Sequence, residues 1–300
     1  MLNQTSMPTF KKSALLPLKG VRILSLALNL PGPAALMRCR SMGAVGVKLE
    51  PLSGDPMAVY NPLAYTDMHE GIKLLQADLK SAPGQKLLHR ELQKAQVLIT
   101  SFRPSALRKL GLGWKNLHGS YPALSQVAII GAPGQRAEEP GHDLTYLAEN
   151  DLLTGLDMPA TLYADMAGSM MASEAVLQAV MHQRVARKGV YVEVALSAAA
   201  GYLALPRAWG LTTSGAAVGG GHAGYRIYPC SDGRVALAAL EPHFAARLCA
   251  AAGLQVTEGA GMYGPEAHQH IADFLRGQTR QQLDALATSD DRPLYTLPNQ

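Results

Sequence analysis

The sequence predicts an open, mostly parallel α/β sheet with helices on both faces, followed by a smaller α+β domain. Three observations carry this. Short aliphatic runs alternate with helical segments through the first two thirds of the chain, the pattern of strand–helix–strand units feeding a parallel sheet. A glycine-rich stretch, residues 214–224 (SGAAVGGGHAG), then interrupts the alternation. Beyond it, Ser231-Asp232-Gly233 stands between two strand-like runs and signals a hairpin.

Each element follows from its residues. Residues 21–27 (VRILSLA) are aliphatic and predict a buried strand. Pro31-Gly32-Pro33 punctuates the chain, and 34–42 predicts a helix closed by Gly43 at its C-cap. Residues 44–49 supply a second strand, so the three form a βαβ unit with a right-handed crossover. The pattern repeats with a helix over 84–95 and strands over 97–100 and 127–130. Residues 166–187, rich in Ala, Met and Leu, predict a long helix with Asp165 just ahead of it, and 189–196 (GVYVEVAL) alternate as a strand does. This places a large, Rossmann-like α/β domain at 1–200, a glycine-rich linker at 201–224 and a small α+β domain at 225–300. The small domain is expected to hold strands at 225–229 and 234–239 and helices at 243–252, 266–276 and 281–288.

Composition narrows the function. Hydrophobic residues make up 48% of the 300, enough for a core in each domain, and Gly (29) with Pro (19) stays well below low-complexity levels. A bilayer span needs roughly 18 consecutive apolar residues. The most apolar stretch, 194–206, is shorter and carries Ser197, so no membrane partner is expected. The net charge of +4 comes from dispersed basic residues, which argues against a nucleic-acid face and suits a small anionic ligand. Cys39, Cys230 and Cys249 form no CxxC pair, and no tight His/Asp cluster is evident, so neither a disulfide framework nor a metal site is expected. Lys11 and Lys12 precede an apolar run that Lys19 soon breaks; this is a poor secretory leader, and a cytoplasmic location is expected. Gly219, Gly221 and Gly224 match a dinucleotide loop by letter, but a strand follows them where the motif requires a helix.

Gly141-His142-Asp143-Leu144-Thr145-Tyr146 follows a loop rich in Gly, Pro and charge. On residue chemistry alone, Asp143 is an N-cap that satisfies free amides of a helix starting near Leu144. Asp165 at the start of its helix, and Glu241 before Pro242, allow the same bland reading. Lys48 and Arg103, taken singly, are surface charges.

Taken in order, several segments shift that balance. They are Leu18-Lys19-Gly20-Val21-Arg22-Ile23-Leu24, Pro31-Gly32-Pro33, residues 43–56 (GAVGVKLEPLSGDP), Ala77-Asp78-Leu79-Lys80, and Phe102-Arg103-Pro104 with Leu110-Gly111-Leu112-Gly113. Together they resemble the class III CoA-transferase (CaiB/BaiF) family. Gly141-His142-Asp143 with Tyr146, Asp165-Met166-Ala167-Gly168 and Leu240-Glu241-Pro242 resemble its alpha-methylacyl-CoA racemase branch.

The resemblance implies an acyl-CoA thioester as substrate, no cofactor beyond the coenzyme A it carries, no metal, and an interlocked homodimer. It implies racemisation of 2-methylacyl-CoA, with His142 and Asp165 as acid and base on opposite faces of the α-carbon. Glu241, from the small domain, would hydrogen-bond to one of them, and backbone amides at the start of the Asp165 helix would face the developing oxyanion. Lys48 and Arg103 would meet the phosphates of CoA. Leu75, Ala77 and Asp78 would wall the adenine and pantetheine, with Gly141 and Tyr146 along the pantetheine. The alternatives are CoA transfer between carboxylic acids, with Asp165 as nucleophile, and a CoA-binding protein without turnover. Three departures from the family pattern are expected: His69-Glu70-Gly71-Ile72-Lys73 in place of a more basic loop, a short spacing from His142 to Asp165, and the lack of the C-terminal segment that returns to the large domain.

Overall fold

The computed structural model describes residues 15–254, 260–289 and 291–299. The chain divides into two units between Ala204 and Leu205. The first unit holds six strands: β1 (Arg22–Ser25), β2 (Val45–Glu50), β3 (Lys73–Gln76), β4 (Val97–Thr100), β5 (Ser125–Ile130) and β6 (Tyr191–Ala195). Every pairing is parallel, in the order β3-β2-β1-β4-β5-β6. This is the doubly wound sheet that the sequence predicts. Its strand order reverses between β1 and β4, and the crevice beyond the carboxyl ends of those strands is where such sheets bind ligands.

Alternation along the strands explains the layering. Ile23, Val97, Ile99, Val127 and Ile129 pack into one core, and their neighbours Leu24, Val47, Leu49 and Leu98 into another. With both faces covered by helices, the strands read as continuous aliphatic runs. The helices of this unit are α1 (Pro31–Ser41), α2 (Met57–Tyr60), α3 (Pro62–His69), α4 (Ala82–Leu92), α5 (Pro104–Lys109), α6 (Trp114–Ser120), α7 (Asp143–Glu149), α8 (Tyr163–Ala186) and α9 (Leu196–Leu203). Helix α1 starts three residues earlier than predicted, because Pro31 occupies a first-turn position where no N–H is needed. Gly43 follows it with φ +97, a conformation open to glycine. Helix α8 likewise starts early, so Asp165 lies inside its first turn and not ahead of it.

The second unit contains α10 (Leu205–Ala208), the antiparallel hairpin β7 (Tyr225–Cys230) and β8 (Gly233–Ala238), and the helices α11 (Pro242–Ala251), α12 (Pro265–Arg276) and α13 (Arg280–Ser289). A third strand, β9 (Leu294–Pro298), pairs with β8 and was not anticipated. Val235, Leu237, Leu248, Ile271, Leu275 and Leu283 form its core.

The sequence assigns 201–224 to a linker, and the division between the two units falls inside it, at Ala204 and Leu205. Its first residues end α9, and the amides of Gly219 and Gly221 both donate to the Ala216 carbonyl, at 3.0 and 2.9 Å. His268 Nε2 meets the Gly221 carbonyl at 2.9 Å. A methyl group on either glycine would overlap the backbone of Thr213 or Gly215, so close packing, not flexibility, explains the glycines. Among the described residues no helix is long and apolar enough to cross a membrane. Cys39, Cys230 and Cys249 are all buried and unpaired.

Candidate active site

A cavity of about 630 Å³ opens at the crevice between β1 and β4. The β1–α1 loop, the turn after β4, the loop after β5 and the starts of α7 and α8 enclose it. His142, Asp165, Arg103, Gly141 and Tyr146 all line it, so residues far apart in sequence meet at the switch point of the sheet.

The local structure of α7 sets the geometry. His142 is its N-cap residue; its amide donates to Thr145 Oγ1 at 3.1 Å, and its side chain stays exposed at the cavity. Asp143 is buried, and its carboxylate does not cap α7 as expected. Instead Oδ1 accepts from the backbone amide of Asp165 at 3.0 Å, capping α8 from the neighbouring helix. This carboxylate also changes the chemistry of Asp165. Burial first, and the Asp143 charge second, push the Asp165 carboxyl up to about 6, with His142 opposing the shift. A carboxyl titrating there can both accept and donate a proton near neutral pH.

Asp143→Asn is expected to move the titration of Asp165 back toward the ordinary carboxylate range, by up to roughly one pH unit. The asparagine oxygen still accepts from the Asp165 amide, so the cap survives. The carbon chemical shift of the labelled Asp165 carboxyl, followed against pH, checks this; an unchanged midpoint refutes the pairing.

Two of the amides expected to face the oxyanion are already engaged. The Asp165 amide is engaged by Asp143, and the Met166 amide bonds the Leu162 carbonyl at 3.0 Å, so neither is offered to a substrate oxygen. Tyr146 is buried with its hydroxyl against the backbones of Gly131 and Gly141, where a methyl group at either glycine would overlap it. Burial raises the Tyr146 pKa, and Asp165 and Glu149 add to the rise.

Arg103 is exposed at the rim, just before α5. Glu138 fixes this corner by accepting from the Ser105 amide and hydroxyl, both at 2.7 Å. Ala77 and Asp78 line a separate groove of about 380 Å³, and Phe102 lines both spaces. Leu75, expected beside them, packs against the core under the sheet.

Lys48 is a second correction. It is fully buried, with its ammonium 2.5 Å from Asp55 Oδ2 and 3.1 Å from Glu50 Oε1. Both carboxylates neutralise it, which leaves it no access to the phosphates of a ligand. Glu50, Asp55 and His69 alone would suit a cation, and the Lys48 ammonium already stands among them. The signal was legible: Lys48 and Glu50, two apart on a strand, share one face. Glu241 lies in the second unit, exposed, directly before α11. A larger groove of about 900 Å³ in that unit has, among the described residues, no carboxylate or histidine in its lining. Sequence reasoning missed Asn29 and Tyr60, which also line the cavity.

The profile of CoA-transferase family III matches residues 18–296. The chain is 28% identical to alpha-methylacyl-CoA racemase of Mus musculus over 285 residues, covering 88% of this chain and 73% of that one. It is 29% identical to a probable fatty acyl-CoA transferase of Mycobacterium tuberculosis, covering 60% of this chain and 50% of that one. With cinnamoyl-CoA:phenyllactate CoA-transferase of Clostridium sporogenes it shares 32% identity over 42% of this chain and 34% of that one. The chain therefore spans only half or less of the length of these two transferases. The crystal structure of a hypothetical protein from Mycobacterium tuberculosis (Rv3272) superposes with a TM-score of 0.81 at 23% identity, covering 93% of this chain and 83% of that one. A CaiB/BaiF family protein from Brucella suis gives 0.78 at 21%, with the same coverage. The two structures speak for the fold and the profile match for descent: this chain belongs to CoA-transferase family III.

Proposed function

We propose that the chain racemises or epimerises 2-methylacyl-CoA and similar α-branched thioesters by two-base proton transfer between Asp165 and His142. The observation that carries this reading is the Asp165 carboxyl, pushed up to about 6 in the cavity that His142 also lines. An α-proton beside a thioester carbonyl is weakly acidic, so one group must remove it while another protonates the opposite face. One proton leaves the substrate carbon, one arrives, and the two enzyme groups exchange protonation states, ready for the reverse direction. Arg103 at the rim supplies a guanidinium for the anionic ligand. Ala77 and Asp78 offer a neighbouring groove, joined through Phe102, for the remainder of the coenzyme.

The second reading is CoA transfer, with the Asp165 carboxylate attacking the thioester carbonyl, releasing the CoA thiolate and forming an acyl anhydride. It is favoured by relatives with CoA-transferase names at comparable identity. Exchange of the α-proton of 2-methylacyl-CoA in deuterium oxide, run beside a hydroxylamine trap, separates the two. Racemisation gives deuterium at the α-carbon and no hydroxamate on the Asp165 side chain. An Asp165 hydroxamate without deuterium incorporation overturns the proposal in favour of transfer.

A further inference from the structure

Among the described residues of the first unit, the most deeply buried cation, Lys48, lies beneath one wall of the cavity, outside it. The Lys48 ammonium bonds Asp55 Oδ2 at 2.5 Å and His69 Nε2 at 2.9 Å and forms an ion pair with Glu50 Oε1 at 3.1 Å. His69 Nδ1 donates to the Tyr65 carbonyl at 2.6 Å, so its Nε2 is the acceptor and the ring is neutral. Burial and the Lys48 charge both favour that neutral form. Tyr65 completes the shell by donating to Glu50 Oε1 at 2.9 Å.

Asp55 connects this cluster to the site. Its carboxylate accepts from the Met57 amide at 2.9 Å and from the Asn29 amide at 3.1 Å to each oxygen. Asn29 has φ +64, a left-handed conformation that asparagine tolerates better than other side chains but adopts less readily than glycine, so the Asp55 contacts help to hold it. The loop it belongs to, residues 28–31, forms the cavity wall between β1 and α1. The Tyr60 hydroxyl, also in that wall, meets Asn29 Oδ1 at 3.4 Å, and the Leu28 amide donates to Ser101 Oγ at 3.2 Å.

We infer that Lys48 is a positioning residue. Held among Glu50, Asp55 and His69, it fixes the Asp55 carboxylate, which in turn holds Asn29 in the left-handed turn that shapes the reaction cavity. Part of the binding energy of this buried ion pair is thereby committed to one loop conformation, and the charge that the resemblance assigns to the phosphates of CoA serves the wall of the site. The inference deepens the proposed function and rests on the cavity being where the reaction occurs, so its test includes a readout that needs no turnover.

The experiment compares the full chain with Asp55→Asn, Asn29→Gly and the double variant. Hydrogen exchange of the 28–31 amides and the kinetics of α-proton exchange are measured for each. In the unaltered chain the Asn29 amide is expected to exchange slowly although its side chain is exposed, because its partner is a buried carboxylate. Asp55→Asn places an NH2 or a weaker acceptor opposite Lys48 and is expected to speed exchange across 28–31. It should also lower kcat by roughly ten- to a hundredfold, with KM little changed, as for a misplaced catalytic wall. Glycine adopts the left-handed turn without strain, so the kcat loss on Asp55→Asn should be smaller in the Asn29→Gly background. A fast-exchanging Asn29 amide in the unaltered chain, or fully additive losses in the double variant, overturns the inference. If Asp55→Asn fails to fold, the Asn29 amide in the unaltered chain still decides it. If the unaltered chain shows no α-proton exchange, the proposed function fails while amide protection still settles the positioning role.

Discussion

Asparagine in place of Asp165 is expected to stabilise the fold above pH 6 while lowering inversion at the α-carbon by roughly 10²–10⁴-fold. Both effects have one origin. In the folded chain the Asp165 carboxyl titrates at about 6, against 3.8 for the ordinary group. Between those values the folded state binds more protons than the unfolded one, so stability falls as the pH rises through that window. Above about pH 6 the penalty is complete, at about 3 kcal/mol. It reflects a carboxylate held out of water beside the Asp143 carboxylate. Asparagine keeps the shape and removes the charge, so the gain in Tm should be several degrees at pH 8 and vanish near pH 4. The same substitution leaves no group on that side to accept or donate the proton. Tm against pH, with inversion rates on each enantiomer, tests both halves; a variant no more stable than the native chain at pH 8 contradicts the placement of Asp165.

How much of this was readable from the sequence depends on the range of the interactions involved. The parallel sheet was legible because strand burial is written locally: VRILSLA and GVYVEVAL declare themselves by their aliphatic runs. So was the hairpin, where Ser231-Asp232 fixes a two-residue turn. Strand β9 was not, since it exists only by pairing with β8 across the intervening helices. The helices α2, α3, α5 and α6 are four to eight residues long, too short for periodicity to show.

The candidate site divides in the same way. His142 and Asp165 were found through a resemblance, and Arg103 with them. The role of Asp143 was invisible because its partner is an amide on another helix, and local capping logic assigns an aspartate to its own helix first. Lys48 went astray for a related reason. The resemblance assigns it to the phosphates of CoA; Glu50 on the same strand face was readable, but only the fold brings Asp55 and His69 to it as well.

His142→Ala is expected to abolish interconversion of the two enantiomers in both directions while leaving α-proton exchange of one of them. The argument is geometric. If Asp165 and His142 address opposite faces of the α-carbon, removal of the imidazole leaves the carboxyl able to remove and return the proton on its own face. That enantiomer exchanges with solvent deuterium and keeps its configuration. Its mirror image, whose proton points toward the missing imidazole, becomes inert. Asp165→Asn gives the converse: retained exchange of the second enantiomer and loss of the first. His142 is exposed at the cavity, and its backbone amide and carbonyl both bond Thr145, contacts that alanine keeps, so alanine there should cost little stability. The pair of variants therefore reports on chemistry with little contribution from unfolding. Loss of exchange from both enantiomers in both variants would mean that the two groups act as one unit, and two-base transfer would be rejected. Crossed retention, each variant keeping the enantiomer the other loses, assigns one face of the substrate to each residue.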